Sequence, residues 1–372
     1  MAKSNSILIL SGYNYRGVIA FCRFCSEENI NFSIVASSEN DKILLSEYKC
    51  KIISIRKSQN LSIKYIKHVG QLIKEKLGAE QIVILPSTEF LNRFILAHRP
   101  ELLENNFIIP LCDEPLYRSI SDKYSFGNLC QKYDLQIPYE YNSITNVDYP
   151  FVIKAKKYFG ATRSVNEKPI IINSEAEFKN IENSLDLKSY YFQKFIGGKS
   201  IYLLFYISKS GNYSVYSQEN LIQQNNGLSI VAAVSSDIHE SEISEKYAKM
   251  LIEEGFFGLI MIELKKYNEN YYMIEANPRL WGPSQLILDS GMDLFYQFAN
   301  DNNLINSPKK KDYKLGTKYY WSGGIFLDEQ NAIANVFHDY SSDKFSKNRS
   351  QFEKNDIYKK DDTKLIYESE LI

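Results

Sequence analysis

The stretch Gly258-Leu-Ile-Met-Ile-Glu-Leu-Lys-Lys-Tyr-Asn-Glu-Asn-Tyr-Tyr-Met-Ile-Glu-Ala-Asn277-Pro-Arg279 reads as a β-hairpin. Two runs rich in β-branched and aromatic residues flank Asn268-Glu269-Asn270, whose residue types suit a tight turn. With the turn centred on Glu269, Glu263 falls opposite Glu275. Alternation then puts Glu263, Glu275 and Asn277 on one face and Ile262, Leu264 and Ile274 on the other. Carboxylates opposed in this way have Cβ atoms about 4.5–5.5 Å apart and repel each other unless a cation lies between them. An all-oxygen set with two anions suits Mg²⁺, which keeps some of its waters and takes further ligands from substrate phosphates; Mn²⁺ would accept the same oxygens. Arg279 adds a planar fork that matches a phosphate or acyl phosphate in two-point geometry. The competing reading is a hairpin whose glutamates simply face water, the usual place for Glu.

Upstream pieces weigh against that alternative. Asp122-Lys123 opens a helical pattern through Phe126, Leu129 and Cys130 to Asp134-Leu-Gln-Ile-Pro138. Tyr149-Pro-Phe-Val-Ile-Lys154 is an apolar strand ending in a lysine, where a point charge can meet phosphate oxygens; a lone lysine there is more often a solvated charge. Gly160-Ala161-Thr162-Arg163-Ser164 has little bulk apart from Arg163, so backbone N–H groups could approach an anion, although an ordinary hairpin loop reads the same. Gln193-Lys194-Phe195-Ile196-Gly197-Gly198 is a strand entering a tight turn, equally compatible with a core strand.

Taken in order, these pieces and Glu275-Ala-Asn-Pro-Arg-Leu-Trp-Gly282 resemble the ATP-grasp superfamily, in particular its carbamoyl-phosphate-synthetase-like carboxylate–amine ligases, over roughly residues 115–330. The resemblance implies ATP with Mg²⁺ held by Glu263, Glu275 and Asn277, and Lys123 and Lys154 at the phosphates. It implies a phosphate-covering loop at Gly160, Ala161 and Thr162, adenine against Gln193, Lys194, Phe195 and Ile196, and Arg279 on the transferring phosphate, with Arg279 and Lys154 as the catalytic pair. Two positions depart from the family pattern. Ser200 stands at the ribose edge where relatives carry a glutamate, so ribose contact is weaker or comes from elsewhere. Ala155 replaces a proline that often follows the nucleotide lysine, a change expected to be harmless. Trp281 and Ser284 follow the metal motif, with core packing the safer assignment for Trp281.

The resemblance also implies the fold: α/β and α+β multidomain, with an N-terminal open parallel sheet, Rossmann-like and pre-ATP-grasp, followed by a two-lobed ATP-grasp fold. The first part carries that pattern itself. Short apolar runs at Ile7–Leu10, 32–36, 51–55 and 81–85 alternate with helical stretches, which means a parallel sheet. The loop Gly12-Tyr-Asn-Tyr-Arg-Gly17 lacks the glycine fingerprint of dinucleotide binding, which excludes a NAD enzyme. Two prolines in Ile109-Pro-Leu-Cys-Asp-Glu-Pro115 suggest a boundary, giving domains 1–115, 116–305 with a lid at about 125–192, and a 306–372 extension. One further strand is expected around Tyr319-Tyr-Trp-Ser-Gly-Gly-Ile-Phe, and a poorly packed tail from Ser341 onward.

Composition narrows the partners. The 372 residues suit two or three domains. A net charge of −1 gives no basic field for nucleic acid. With no long apolar run and no leader pattern, a soluble cytoplasmic protein off the membrane is expected. Of five scattered cysteines, only Cys22 and Cys25 are closely spaced, and they read as buried free thiols; four dispersed histidines form no ligand spacing. The expected activity is ligation of a small-molecule carboxylate to an amine through an acyl phosphate, releasing ADP and phosphate; a homodimer is compatible with it. An ATP-grasp kinase and a non-catalytic nucleotide-binding regulator remain the alternatives, because fold alone does not separate them.

Overall fold

The computed structural model describes residues 5–371 except 58–60, 145–146, 158–167, 186–187, 226 and 307–310. Strands β1 (Ser6–Leu10), β2 (Phe32–Ala36), β3 (Ile52–Ile55), β4 (Ile82–Ile84) and β5 (Phe107–Ile108) form a parallel sheet in the order β3-β2-β1-β4-β5. Strands β1, β2 and β4 are buried along their whole length, which is why they read as unbroken apolar runs rather than alternating ones. The helix Tyr15–Glu27 crosses over from β1, and its Cys22 and Cys25 are buried free thiols, as expected.

Strands β6 (Glu140–Tyr141), β7 (Phe151–Ala155), β8 (Ile170–Ile172) and β9 (Tyr190–Lys194) make a small sheet in the order β6-β9-β7-β8, with a core of its own around Phe151, Ile153, Ile172 and Phe178. This lobe starts at Glu140 rather than near 125. The helix Lys123–Lys132 belongs to the main body, because its buried Phe126 and Cys130 join the same core as Ile262 and Met273.

The large sheet holds β10 (Lys199–Ile207), β11 (Tyr213–Gln223), β12 (Ile230–Ser236), β13 (Gly258–Tyr267), β14 (Asn270–Asn277), β15 (Lys318–Tyr320) and β16 (Val336–Phe337). Its order is β14-β13-β10-β11-β12-β15, with β16 paired to β11. The N-terminal sheet is fused to this body by aromatic packing. Phe21 meets Phe295 edge-on at 4.9 Å between ring centres, and Phe24 meets Tyr296 at 5.1 Å. Edge-to-face pairs of this kind add to the area they bury.

Two expectations for the C-terminal part are corrected. Tyr319-Tyr-Trp-Ser-Gly-Gly-Ile-Phe is a strand only through Tyr320; Ser322–Gln330 is a helix. The segment after Ser341 is packed. Its helix Ser342–Glu353 is mostly polar, yet Phe345 and Phe352, seven residues apart, lie on one face against Tyr320. Asp362 accepts two hydrogen bonds of 2.8 Å from Arg23 and one of 2.7 Å from Tyr48. Composition predicted poor packing because it weighs the number of apolar residues, whereas this segment relies on a few well-placed ones and on long-range charge pairs.

Candidate active site

The hairpin pairs Glu263 with Glu275, for a reason the sequence alone does not give. The turn is centred between Asn268, at φ +54°, and Glu269, which by itself would set Glu263 against Ile274. A register shift between Glu263 and Leu264 absorbs Ile274 as an extra residue and restores the carboxylate pair. The bulge also re-aims Ile274. Expected on the core face, it lines the cleft with Glu275, and Met273 takes the core position.

The two carboxylates occupy unequal environments. Burial raises the Glu263 carboxyl well above the ordinary range, and the charge of Glu275 opposite raises it further. Burial would raise Glu275 too, but Lys123 outweighs it, helped by Asn277 and Arg279, and holds that carboxyl low. Lys123 Nζ is bonded directly to Glu275 Oε2. Asn277 donates its amide N–H to Glu275 Oε1 at 2.8 Å, and its Oδ1 accepts from Arg279 Nη2 at 2.7 Å. A pair of facing carboxyls, each resisting the other's ionisation, fits a divalent cation between them. The oxygens present, two carboxylates and one amide, suit Mg²⁺ completed by phosphates and waters. No cluster of three or more His, Cys, Asp or Glu able to hold a metal occurs among the described residues.

Lys154 was read as a charge emerging at a strand end. It is 4% exposed, with Nζ 2.8 Å from Gln193 Oε1 and 3.4 Å from the Ile274 carbonyl oxygen. Burial, followed by the like charge of Lys123, lowers its pKa to about 8. Gln193 in turn donates to Glu140 at 3.2 Å. Gln193, Lys194, Phe195 and Ile196 run along one wall of the cleft into the Gly197-Gly198 turn. At Gly198, φ is +86° and an added Cβ would stand 2.2 Å from the Lys266 carbonyl oxygen, so the turn touches β13 and admits only glycine. Ser200, expected at a ribose edge, does not line the cleft. It is fully buried on β10, where its hydroxyl donates to Glu263 at 3.3 Å and accepts from Asn220 at 3.0 Å. Gly160, Ala161 and Thr162 lie outside the described residues.

Two cavities meet at the carboxylate pair. The first, of about 390 Å³, is the cleft between the small lobe and the large sheet; the second, of about 450 Å³, lies on the other side. Lys123, Glu263 and Glu275 line both. The second cavity also takes in Asn277, Arg279 and Trp281, the 227–230 loop, Tyr13 and Asn14 from the loop after β1, and Arg16 from the first turn of the helix that follows. Asn14 pins that loop by donating to the carbonyl oxygens of Ser87 (3.3 Å) and Leu280 (3.0 Å). Arg16 donates to the Ile230 carbonyl at 2.8 Å and to the Tyr319 hydroxyl at 3.2 Å, with its guanidinium carbon 3.9 Å from the centre of the Trp321 ring. Ser284 is buried beneath Trp281 and lines neither of these two cavities.

Sequence reasoning missed Arg16, Lys265 and His338. Lys265 was within reach, since it lies two residues from Glu263 on the same strand face. Arg16 and His338 carry no local signal. A cluster crossing the expected boundary at 115 was also missed: Arg93 bonds Glu89 at 2.5 Å and Asp122 at 2.9 Å, and Tyr117 donates to Glu89 at 2.8 Å. It fixes the start of the helix that carries Lys123.

Residues 120–283 match the family model described as an ATP-grasp domain. Among solved structures, the ADP complex of purK, N5-carboxyaminoimidazole ribonucleotide synthetase, is similar with a TM-score of 0.62 and 17% identity, over 86% of this chain and 81% of that one. Biotin carboxylase from Campylobacter jejuni, in a β-γ-ATP complex, gives 0.60 and 17% over 84% and 74%. Rhizobium etli pyruvate carboxylase gives 0.60 and 16% over 85% of this chain but only 30% of that much longer one. At these identities the likeness is one of fold. No curated protein sequence matches the chain. Among the described residues no helix is long and apolar enough to cross a membrane.

Proposed function

We propose, from the premise that the chain carries an ATP-grasp domain at residues 120–283, that it is an ATP-dependent carboxylate–amine ligase. The observation that carries this reading is the shared floor: Lys123, Glu263 and Glu275 border both the cleft along the hinge and the second cavity. A nucleotide lying along Gln193–Gly198 ends its phosphates at that floor, next to a separate chamber for an acceptor. A regulator that only binds nucleotide has no use for the second chamber.

In the reaction proposed, a substrate carboxylate oxygen attacks the γ-phosphorus and the bond to ADP breaks. An amine then attacks the acyl carbon, phosphate departs, and the amine loses a proton. The obstacle is repulsion between an anionic nucleophile and the triphosphate. Lys154, fixed by Gln193, and Lys123 offset it from the protein side. Mg²⁺ held by Glu263, Glu275 and Asn277 would supply charge neutralisation at the phosphates. Arg279, braced by Asn277 and the Leu280 carbonyl, presents its guanidinium to the acceptor chamber. Arg16, locked against Trp321, makes that chamber favourable to an anionic acceptor.

The test is a mass-spectrometric screen of the protein with Mg-ATP against mixtures of small carboxylates and amines. ADP formation that requires both partners, with a product lighter by one water than their sum, supports ligation. A phosphorylated product formed without an amine would point to a kinase, and ATP binding without turnover in every mixture to a regulator.

A further inference from the structure

The resemblance implies a ribose-binding acid at the position of Ser200. Ser200, at the position in question, is buried under Glu263. Along the cleft face of β13, Lys265 is the next residue after Glu263, about 7 Å further on at the rise of an extended strand. The hinge turn touches β13 at Lys266, one residue beyond. A sugar joining phosphates at Glu263 to a base at the hinge therefore lies beside Lys265.

The Lys265 ammonium is engaged: its Nζ is 2.9 Å from His338 Nδ1, and His338 Nε2 is 2.8 Å from Gln223 Oε1. These contacts, with the pairing of Ile222 to Phe337 and Gln223 to Val336, hold residues 336–339 as a wall of the cleft. The segment ends at Asp339, in the left-handed region at φ +47°. Asp339 shares the cleft with the hinge and also borders, with Gly198 and Lys266, a further cavity at the hinge end. The acidic residues lining the cleft among those described are Glu263, Glu275 and Asp339, and the first two belong to the phosphate end. Asp339 is exposed, and its carboxylate has no hydrogen-bond or ion-pair partner among the described residues.

We propose that Asp339 is the ribose-binding residue, its carboxylate accepting hydrogen bonds from the 2′ and 3′ hydroxyls of the nucleotide while His338 fixes the segment that presents it. The proposal rests on the cleft being the ATP site. The ribose contact has moved from the hinge, where Ser200 lacks the reach and the exposure, to the opposite wall supplied by the C-terminal extension.

Calorimetric titration with ATP and with 2′,3′-dideoxy-ATP, in the presence of Mg²⁺, tests it in the full-length protein and in Asp339→Asn. Asparagine tolerates the left-handed backbone, so the variant keeps the fold, which thermal melting checks. The wild type should bind ATP roughly tenfold or more tightly than the dideoxy nucleotide, the scale of one to two charge-assisted hydrogen bonds. In Asp339→Asn that ratio should fall close to one while dideoxy-ATP affinity stays unchanged. An unchanged ratio in the variant, or no preference in the wild type, would overturn the assignment and leave the ATP site standing. A wild type that binds neither nucleotide removes the ATP reading itself.

Discussion

The two cavities share a floor and differ in how their walls are made. The cleft is walled by paired strands: β7 and β9 carry Lys154 and Gln193, β13 and β14 carry Lys265 and Ile274, and β16 closes the far side through its pairing with β11. The second cavity takes strand residues such as Tyr202, Met261 and Asn277 into its floor and is otherwise walled by segments from three distant parts of the chain, at 13–16, 227–230 and 279–283. Side-chain-to-backbone hydrogen bonds, such as Asn14 to Leu280 and Arg16 to Ile230, tie them together. A sheet-built wall presents fixed groups, which suits a constant ligand such as a nucleotide. Loops can change without disturbing a core, which suits a variable ligand.

A change in the shared floor should damage both sides, so Glu275→Gln has the largest expected effect. It keeps the shape of the side chain and removes the anion held by Lys123. ADP formation with an identified substrate pair should fall roughly a hundredfold or more, about 3 kcal/mol of lost charge stabilisation, with the melting temperature maintained. Near-wild-type turnover would separate the two cavities and end the comparison.

Lys154→Met should injure the cleft alone. The KM for ATP should rise about tenfold while the KM for the acceptor holds, and a rise in both would show that the cavities are not independent. The ammonium also predicts a pH signature. Its pKa is lowered to about 8 by burial and then Lys123, against an unfolded value of 10.5. Below pH 8 both folded and unfolded forms carry the proton, and burial of that charge costs about 3 kcal/mol. Between pH 8 and 10.5 the unfolded form binds more protons, so the stability contributed by this group rises with pH. ATP affinity moves the other way, weakening from pH 7 to 9 as the charge is lost. Lys154→Met should flatten both trends.

Arg16→Met gives the smallest effect and falls only on the acceptor side. The acceptor KM should rise several-fold with ATP affinity unchanged by calorimetry. An altered ATP affinity would mean that the loop wall reaches the cleft.

The same contrast accounts for what the sequence revealed. Alternation in β13 and β14 and an apolar run before Lys154 made the hairpin, the shared face of Glu263, Glu275 and Asn277, and the strands at Lys154 and Gln193 legible, because each depends on neighbours a few residues apart. The bulge at Ile274 was not legible: it was inferred to face the core, and it faces the cleft because the true turn lies half a residue from the one assumed. Lys154 is buried because the Ile274 carbonyl and Gln193 arrive from other strands, and no local pattern encodes that. Ser200 was placed at the ribose by its position in a motif, yet β10 turns that side chain under Glu263. The last thirty residues read as loose because their partners, Arg23 and Tyr48 for Asp362 and Tyr320 for Phe345 and Phe352, are remote in the chain.

The central claim is that Glu263 and Glu275 form a divalent-cation floor on which nucleotide phosphates rest. Calorimetric titration of the wild-type protein with ATP, with Mg²⁺ and then with EDTA in its place, tests it most directly. The account predicts ATP binding that weakens at least tenfold when the cation is removed, because the triphosphate then faces an uncompensated carboxylate pair. Equal affinity in the two conditions would contradict it and return the hairpin to a solvated pair of glutamates.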